Sequence, residues 1–199
     1  MSEPLILASG SAIRAQLLRR AGLSPEVVPA RIDEGALQAA LVAEGAAPRD
    51  VADALAEQKA RKVSQRRPGA LVLGCDQVMV FEGAVLGKPG DIAEARTRLR
   101  ALRGQSHQLI SAAVLYRDGV PVWRHLDHAT LLMREFSDAF LEAYLERGWP
   151  ELAQTVGAYK VEEDGVRLFA DIQGSHFTVL GLPLIPLLVH LGRIGVIEA

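Results

Sequence analysis

Leu5-Ile6-Leu7-Ala8-Ser9-Gly10-Ser11-Ala12-Ile13-Arg14 begins as an apolar strand, passes through a small polar turn and enters a helix. A turn of this kind leaves the N–H groups of the first helical turn free to meet an anion. Ser11 is placed to cap a helix whose apolar positions, Ile13, Leu17 and Ala21, recur every four residues, and Gly22 ends it. A second apolar strand, Leu71-Val72-Leu73-Gly74-Cys75-Asp76-Gln77, ends on a carboxylate. In α/β proteins the ends of buried strands are where ligands and chemistry gather. Gly87-Lys88-Pro89 follows as a stiff turn. These segments point to an enzyme acting on a phosphorylated small molecule.

Outward from there the chain alternates helix and strand signals. Val27–Pro29 reads as a short strand, and 31–47 as irregular or weakly helical. Pro48 opens a helix to about Gln65, with Val51, Leu55 and Val63 on one stripe. Ala70–Gly74 and Val78–Phe81 are strand material, and Glu82-Gly83 is a turn. Asp91 and Glu94 form a capping box for a helix that Gly104 ends. Gln108–Tyr116 and Val120–Met133 read as a hairpin across Arg117-Asp118-Gly119. Ser137 caps a helix ending near Gly148; Val166–Ile172 and Phe177–Leu180 read as late strands; Pro183 starts a last apolar helix to about Leu191. No Pro- or Gly-rich linker divides the chain, so the expectation is one α/β domain spanning 1–199.

Composition excludes several classes. Of 199 residues, 49% are hydrophobic, enough for one sizeable core. The formal net charge of −2 argues against a partner of nucleic acid, because proteins that wrap duplexes are usually basic. Arg96, Arg98, Arg100 and Arg103 read as a solvated helix face. The lone Cys75 excludes an internal disulfide and any multi-Cys zinc site. The N-terminus lacks the pattern of a secretory signal, and no run of about 20 apolar residues is present, so no membrane association and a cytoplasmic location are expected.

The residues able to do chemistry are few. Arg14, one turn into the first helix, either forks back onto phosphate oxygens or is a surface cation. Asp76 either faces a cleft, as metal ligand or general base, or closes an ordinary turn. Lys59 shares the stripe of Val51, Leu55 and Val63, and so either snorkels or reaches a cleft from an inward face. Lys88 either meets phosphate or is a turn residue. His125 and His128, three apart in a strand, point to opposite faces and make no metal pair.

These residues resemble those of the Maf family of nucleoside triphosphate pyrophosphatases. The likeness is carried by Leu5–Ser11, Ile32-Asp33-Glu34, Glu57-Gln58-Lys59-Ala60, Gly74-Cys75-Asp76-Gln77, Leu86-Gly87-Lys88-Pro89, Gly157-Ala158-Tyr159 and Val179-Leu180-Gly181-Leu182-Pro183. It implies an elongated mixed sheet flanked by helices, with a deep cleft between two lobes, as in Maf and ITPase-like proteins, and often a homodimer. It implies hydrolysis of a nucleoside triphosphate to monophosphate and pyrophosphate with a divalent metal, Mg, Mn or Co. Asp76 matches the family's catalytic carboxylate and, with Glu34, its metal ligands. Ser9, Ser11, Arg14, Lys59 and Lys88 match positions around the phosphates.

The positions that set base choice correspond to Ile13, Gln77 and Glu162. The pyrimidine-preferring branch has Arg, Thr and Gln there, and the 7-methyl-GTP branch has Trp, Gln and Glu. This chain follows the second branch at Gln77 and Glu162, while Ile13 follows neither. Ser11-Ala12-Ile13-Arg14 also departs from the family's common Ser-Pro-Arg-Arg. The family's link to arrest of cell division supplies a rival expectation, a nucleotide-binding regulator of division or septum formation without significant turnover.

Overall fold

Residues 4–198 are described in the computed structural model, and the expected domain's residues 1–3 and 199 lie outside them. β1 (Leu5–Leu7) leads into α1 (Ala12–Arg20), with Ser11 as N-cap, its Oγ accepting from the Arg14 N–H. Gly22 follows the helix at φ +84°, a left-handed conformation that suits glycine. β2 (Glu26–Val27) then lies parallel to β1, one residue earlier than the expected Val27–Pro29.

The stretch 31–47 is more regular than its composition suggests. It holds α2 (Glu34–Ala43), capped by Asp33 through Oδ1 to the Ala36 N–H. No residue of α2 is buried, so the sequence carries no strong apolar stripe to announce it. α3 (Pro48–Ser64) forms as expected, and Val51, Leu55, Lys59 and Val63 are all buried.

β3 (Leu71–Phe81) runs unbroken through the segment read as two strands. Its partner explains why. β5 (Ser106–Arg117) pairs antiparallel with β3 along nearly its whole length, including Asp76 opposite Ala112. β1 pairs with β3 only from Leu71 to Leu73, and β4 (Ala84–Leu86) only from Met79 to Phe81. Asp76 is therefore not at a strand end: it lies mid-strand, where β3 runs on past the C-terminal end of parallel β1.

α4 (Ile92–Leu102) follows, capped by Asp91. β6 (Val120–Met133) returns from β5 through Asp118 and Gly119, at φ +49° and +79°, the signs a two-residue type I′ turn needs. α5 (Asp138–Gly148) is capped by Ser137. β7 (Phe169–Gln173) pairs with the end of β6. Residues 166–168, expected as the start of the strand Val166–Ile172, belong instead to a 3-10 turn over 164–168. Phe177–Leu180, also expected as strand, belongs mostly to a short helix, α6 (His176–Val179), set off by Gly174 and Gly181 at φ +124° and +86°. α7 (Leu184–Arg193) closes the fold.

The sheet order is β2-β1-β3-β5-β6-β7, with β4 beside β3. This is one α/β domain on a mixed seven-stranded sheet. Alternation along β3 decides which helix covers which face. Leu71, Leu73 and Cys75 pack against α1 and α7, and Met79 against α4 and α5 further along the same face. Val72 and Val78 pack against α3 on the other. Among the described residues no helix is long and apolar enough to cross a membrane.

Candidate functional site

The end of β1 opens a gap beside β3, and the chain fills it with charge. Asp76 projects to the α3 face, where Lys59 meets it: Nζ lies 2.6 Å from Asp76 Oδ1 and 2.9 Å from Glu34 Oε1. Lys59 and Asp76 are nearly closed off, with side-chain exposures of 6% and 9%. A buried ammonium is tolerable only when paired in this way. Lys88 comes in from its turn, with Nζ 3.7 Å from Glu34 Oε2. Burial tends to raise the Glu34 carboxyl pKa, but Lys59, Lys88 and Arg14 outweigh it and hold the group below its usual range.

Gly74 permits the Lys59–Asp76 contact. A Cβ there would stand 2.1 Å from the Ala56 carbonyl and 2.7 Å from the Ala60 nitrogen. α3 thus lies directly on β3, one helical turn from Lys59. A glycine inside an apolar strand was the available signal of this close approach.

Arg14 is buried rather than a surface cation. Its Nη1 donates to the Cys75 carbonyl at 2.8 Å and contacts Ser9 Oγ at 3.4 Å. Its Nε is buried without a hydrogen-bond partner. Among the described residues no carboxylate forms an ion pair with it. Gly181 makes room: a Cβ there would lie 2.8 Å from Arg14 Nη2. Ser9 Oγ also accepts from the Ser11 N–H at 3.3 Å. A cavity of about 210 Å³ opens here, lined by Ser9, Gly10, Glu34 and Lys59.

The fold therefore gathers Ser9, Ser11, Arg14, Glu34, Lys59, Asp76 and Lys88 around one end of β1. Cys75 points the other way, and burial pushes its thiol up to about 11 despite Arg14 and Lys59 nearby. The positions that the resemblance links to base choice are not on this face. Ile13 and Glu162 line a second cavity of about 650 Å³ with Phe177, His176 and Leu184. Gln77, next to Asp76 in the strand, faces away from it. Its Nε2 donates to Ser111 Oγ, Thr178 O and Val179 O, each at 3.0 Å, so it tethers α6 to the sheet. Asp127 adds a second tether, accepting from Thr178 Oγ1 at 2.5 Å. This tether is not legible locally, because two of the three partners are carbonyls 101 and 102 residues away. A single deep cleft joining the two cavities is not shown.

Comparison with known proteins adds to this geometry. The family model for Maf-like protein matches residues 4–194. A nucleoside triphosphate pyrophosphatase of Ruegeria sp. (strain TM1040) is 56% identical over 198 residues, covering 100% of both chains. A 7-methyl-GTP pyrophosphatase of Mesorhizobium japonicum is 50% identical over 198 residues, again with 100% of both covered. A solved HAM1 protein from Coxiella burnetii aligns with 16% identity and a TM-score of 0.44, over 66% of this chain and 73% of that one.

Proposed function

This chain belongs to the Maf-like family, and from that premise we propose that it is a nucleoside triphosphate pyrophosphatase, releasing the monophosphate and pyrophosphate. The observation that carries the reading is Arg14. A buried guanidinium with an orphaned Nε and, among the described residues, no carboxylate partner is a costly arrangement that a bound polyanion relieves. It stands beside the start of α1, where helical N–H groups favour phosphate. Lys59 and Lys88 extend the cationic surface along the chain of phosphates.

In the proposed reaction the oxygen of a water bonds to the α-phosphorus as the bond from that phosphorus to the α–β bridging oxygen breaks, and pyrophosphate leaves with the bridging oxygen. Asp76 accepts the water's proton through Oδ2, which takes part in no hydrogen bond among the described residues. Lys59 fixes the carboxylate by its contact with Oδ1. Arg14, Lys59 and Lys88 stabilise charge gathering on the departing pyrophosphate.

The donor set suits a hard divalent cation. Among the described residues no three His, Cys, Asp or Glu side chains cluster to hold a metal by themselves. Glu34 and Asp76 offer two carboxylates, and Mg²⁺ commonly takes one or two, completing its shell with water and substrate phosphates. Such an ion neutralises the triphosphate when bound.

The base is assigned to the larger cavity. Glu162 can accept from the N1–H and exocyclic amine of a guanine-type base, whereas the carbonyls of uracil and thymine repel it. Glu162 is exposed in the free chain, and a base seated over it would bury it; a polar group left unpaired in that way costs about 1–3 kcal/mol. The test is pyrophosphate release from GTP, 7-methyl-GTP, dTTP and UTP by wild type and Glu162→Gln. GTP-like substrates are expected to lead, and the variant to narrow the gap. A tenfold preference for dTTP or UTP refutes the role of Glu162. Tight binding with no release from any nucleotide refutes the enzyme and favours the regulator.

A further inference from the structure

We propose that Glu94 and Arg98 of α4 form a positioning clamp that aims Lys88 at the triphosphate, an inference that rests on the role of Lys88 given above. Four contacts define the clamp. Arg98 Nη2 pairs with Glu94 Oε1 at 2.7 Å, one helical turn away. Arg98 Nη1 donates to the carbonyl of Gly87. Glu94 Oε2 accepts from the Gly90 N–H at 2.8 Å. The two side chains therefore grip both ends of the four-residue turn that carries Lys88. The fourth contact, Arg98 Nη1 to Val156 O at 2.5 Å, ties in the segment leading to Gly157-Ala158-Tyr159.

The burial of Arg98 is what lifts this above an ordinary helix-surface pair. Its side chain is only 8% exposed, whereas that of Glu94 is 51% exposed. Desolvation disfavours the charge, and burial lowers the Arg98 pKa against the pull of Glu94. A chain need not bury a guanidinium to close a turn of glycines and proline. It does need a rigid hold if the turn's lysine, itself 46% exposed, must stay within reach of Glu34 and the phosphates. The sequence concealed this: Arg98 looked like one of several solvated arginines. The Glu94 carboxylate, read as the reciprocal half of a capping box, bonds the N–H of Gly90 rather than of Asp91.

The experiment measures kcat and KM with GTP, together with Tm, for wild type, Lys88→Met, Arg98→Met, Arg98→Lys, Glu94→Ala and the double variant Lys88→Met/Arg98→Met. Misaiming a catalytic group by about 1 Å can cost on the order of 100-fold, so Arg98→Met is expected to lose about 10- to 100-fold in kcat/KM. Glu94→Ala should lose less, and Arg98→Lys should recover part of the loss. The double variant should be no worse than Lys88→Met alone, because a clamp has nothing to aim once the lysine is gone. If Arg98→Met fails to fold, Glu94→Ala, altered at an exposed position, carries the same comparison. The proposal is overturned if Lys88→Met is impaired while the folded clamp variants match wild type, or if the two losses simply multiply. An unimpaired Lys88→Met overturns the role of Lys88 itself, and the clamp with it.

Discussion

Lys59 does two jobs that pull in different directions. It holds Asp76 and Glu34 by ion pairs, and in the proposed reaction it also presents charge to a phosphate. Its burial between the two carboxylates makes the stability consequences of mutation unequal. Lys59→Met strands the Asp76 carboxylate without an ion partner, and breaking a buried pair from one side costs about 3–5 kcal/mol. Asp76→Asn leaves Lys59 still paired with Glu34 at 2.9 Å, so it should be the more stable of the two. It should nonetheless lose turnover by about 10²–10⁴-fold, the usual worth of a general base. Thermal denaturation and pyrophosphate release check both; a folded Asp76→Asn with wild-type turnover ends the assignment. Cys75 gives a second residue-scale expectation. Because burial raises its thiol to about 11, it should resist alkylation at neutral pH until the protein unfolds, as mass spectrometry would show.

At the scale of elements, the site depends on how closely α3 lies on β3. The contact is set at Gly74, and no side chain fits there. Gly74→Ala should push the helix off the strand and cost at least the ~1–3 kcal/mol typical of overpacking. The shift separates Lys59 from Asp76, so activity should fall further than stability alone explains. Urea unfolding together with turnover of the folded fraction tests this; a variant with unchanged midpoint and rate would show that the helix yields freely. The same scale explains the errors of local reading. Phe177–Leu180 has the composition of a strand, yet glycines in left-handed conformations on either side and the tethers from Gln77 and Asp127 hold it as a helix turn.

At the scale of the whole molecule, His107 is expected to contribute to the response to acid. This residue is buried on β5, shares a 2.6 Å hydrogen bond with Tyr159 and leaves Nδ1 without a partner. Desolvation lowers its pKa from 6.5 to about 4. The folded state therefore keeps His107 neutral, while the unfolded chain takes up a proton below about 6.5. The associated stability is fully present above that pH and drains away as pH falls toward 4. The loss amounts to at most about 3 kcal/mol. His107→Leu should flatten the dependence of Tm on pH between 4 and 6.5, whatever it does to absolute stability. An unchanged slope would place the acid sensitivity elsewhere.

The sequence by itself determined the strand–turn–helix at Leu5–Arg14, the stripe that turns Lys59 inward, the hairpin at Asp118-Gly119 and the terminal helix. Each rests on local rules: caps, turn conformations and periodicity that operate over a few residues. It also marked Asp76, Arg14 and Lys88 as candidates for chemistry, each with an ordinary structural alternative. Tertiary structure decided what they touch. Asp76 looked like a strand end because only pairing with β5, invisible locally, carries β3 past it. Arg14 looked as much like a surface cation as a ligand until the Cys75 carbonyl and Gly181 enclosed it. Gln77 and Arg98 gained contacts that no local rule names, because two of the partners of each are backbone carbonyls. Such acceptors are present at every residue of a chain, and only the fold selects which of them a donor reaches.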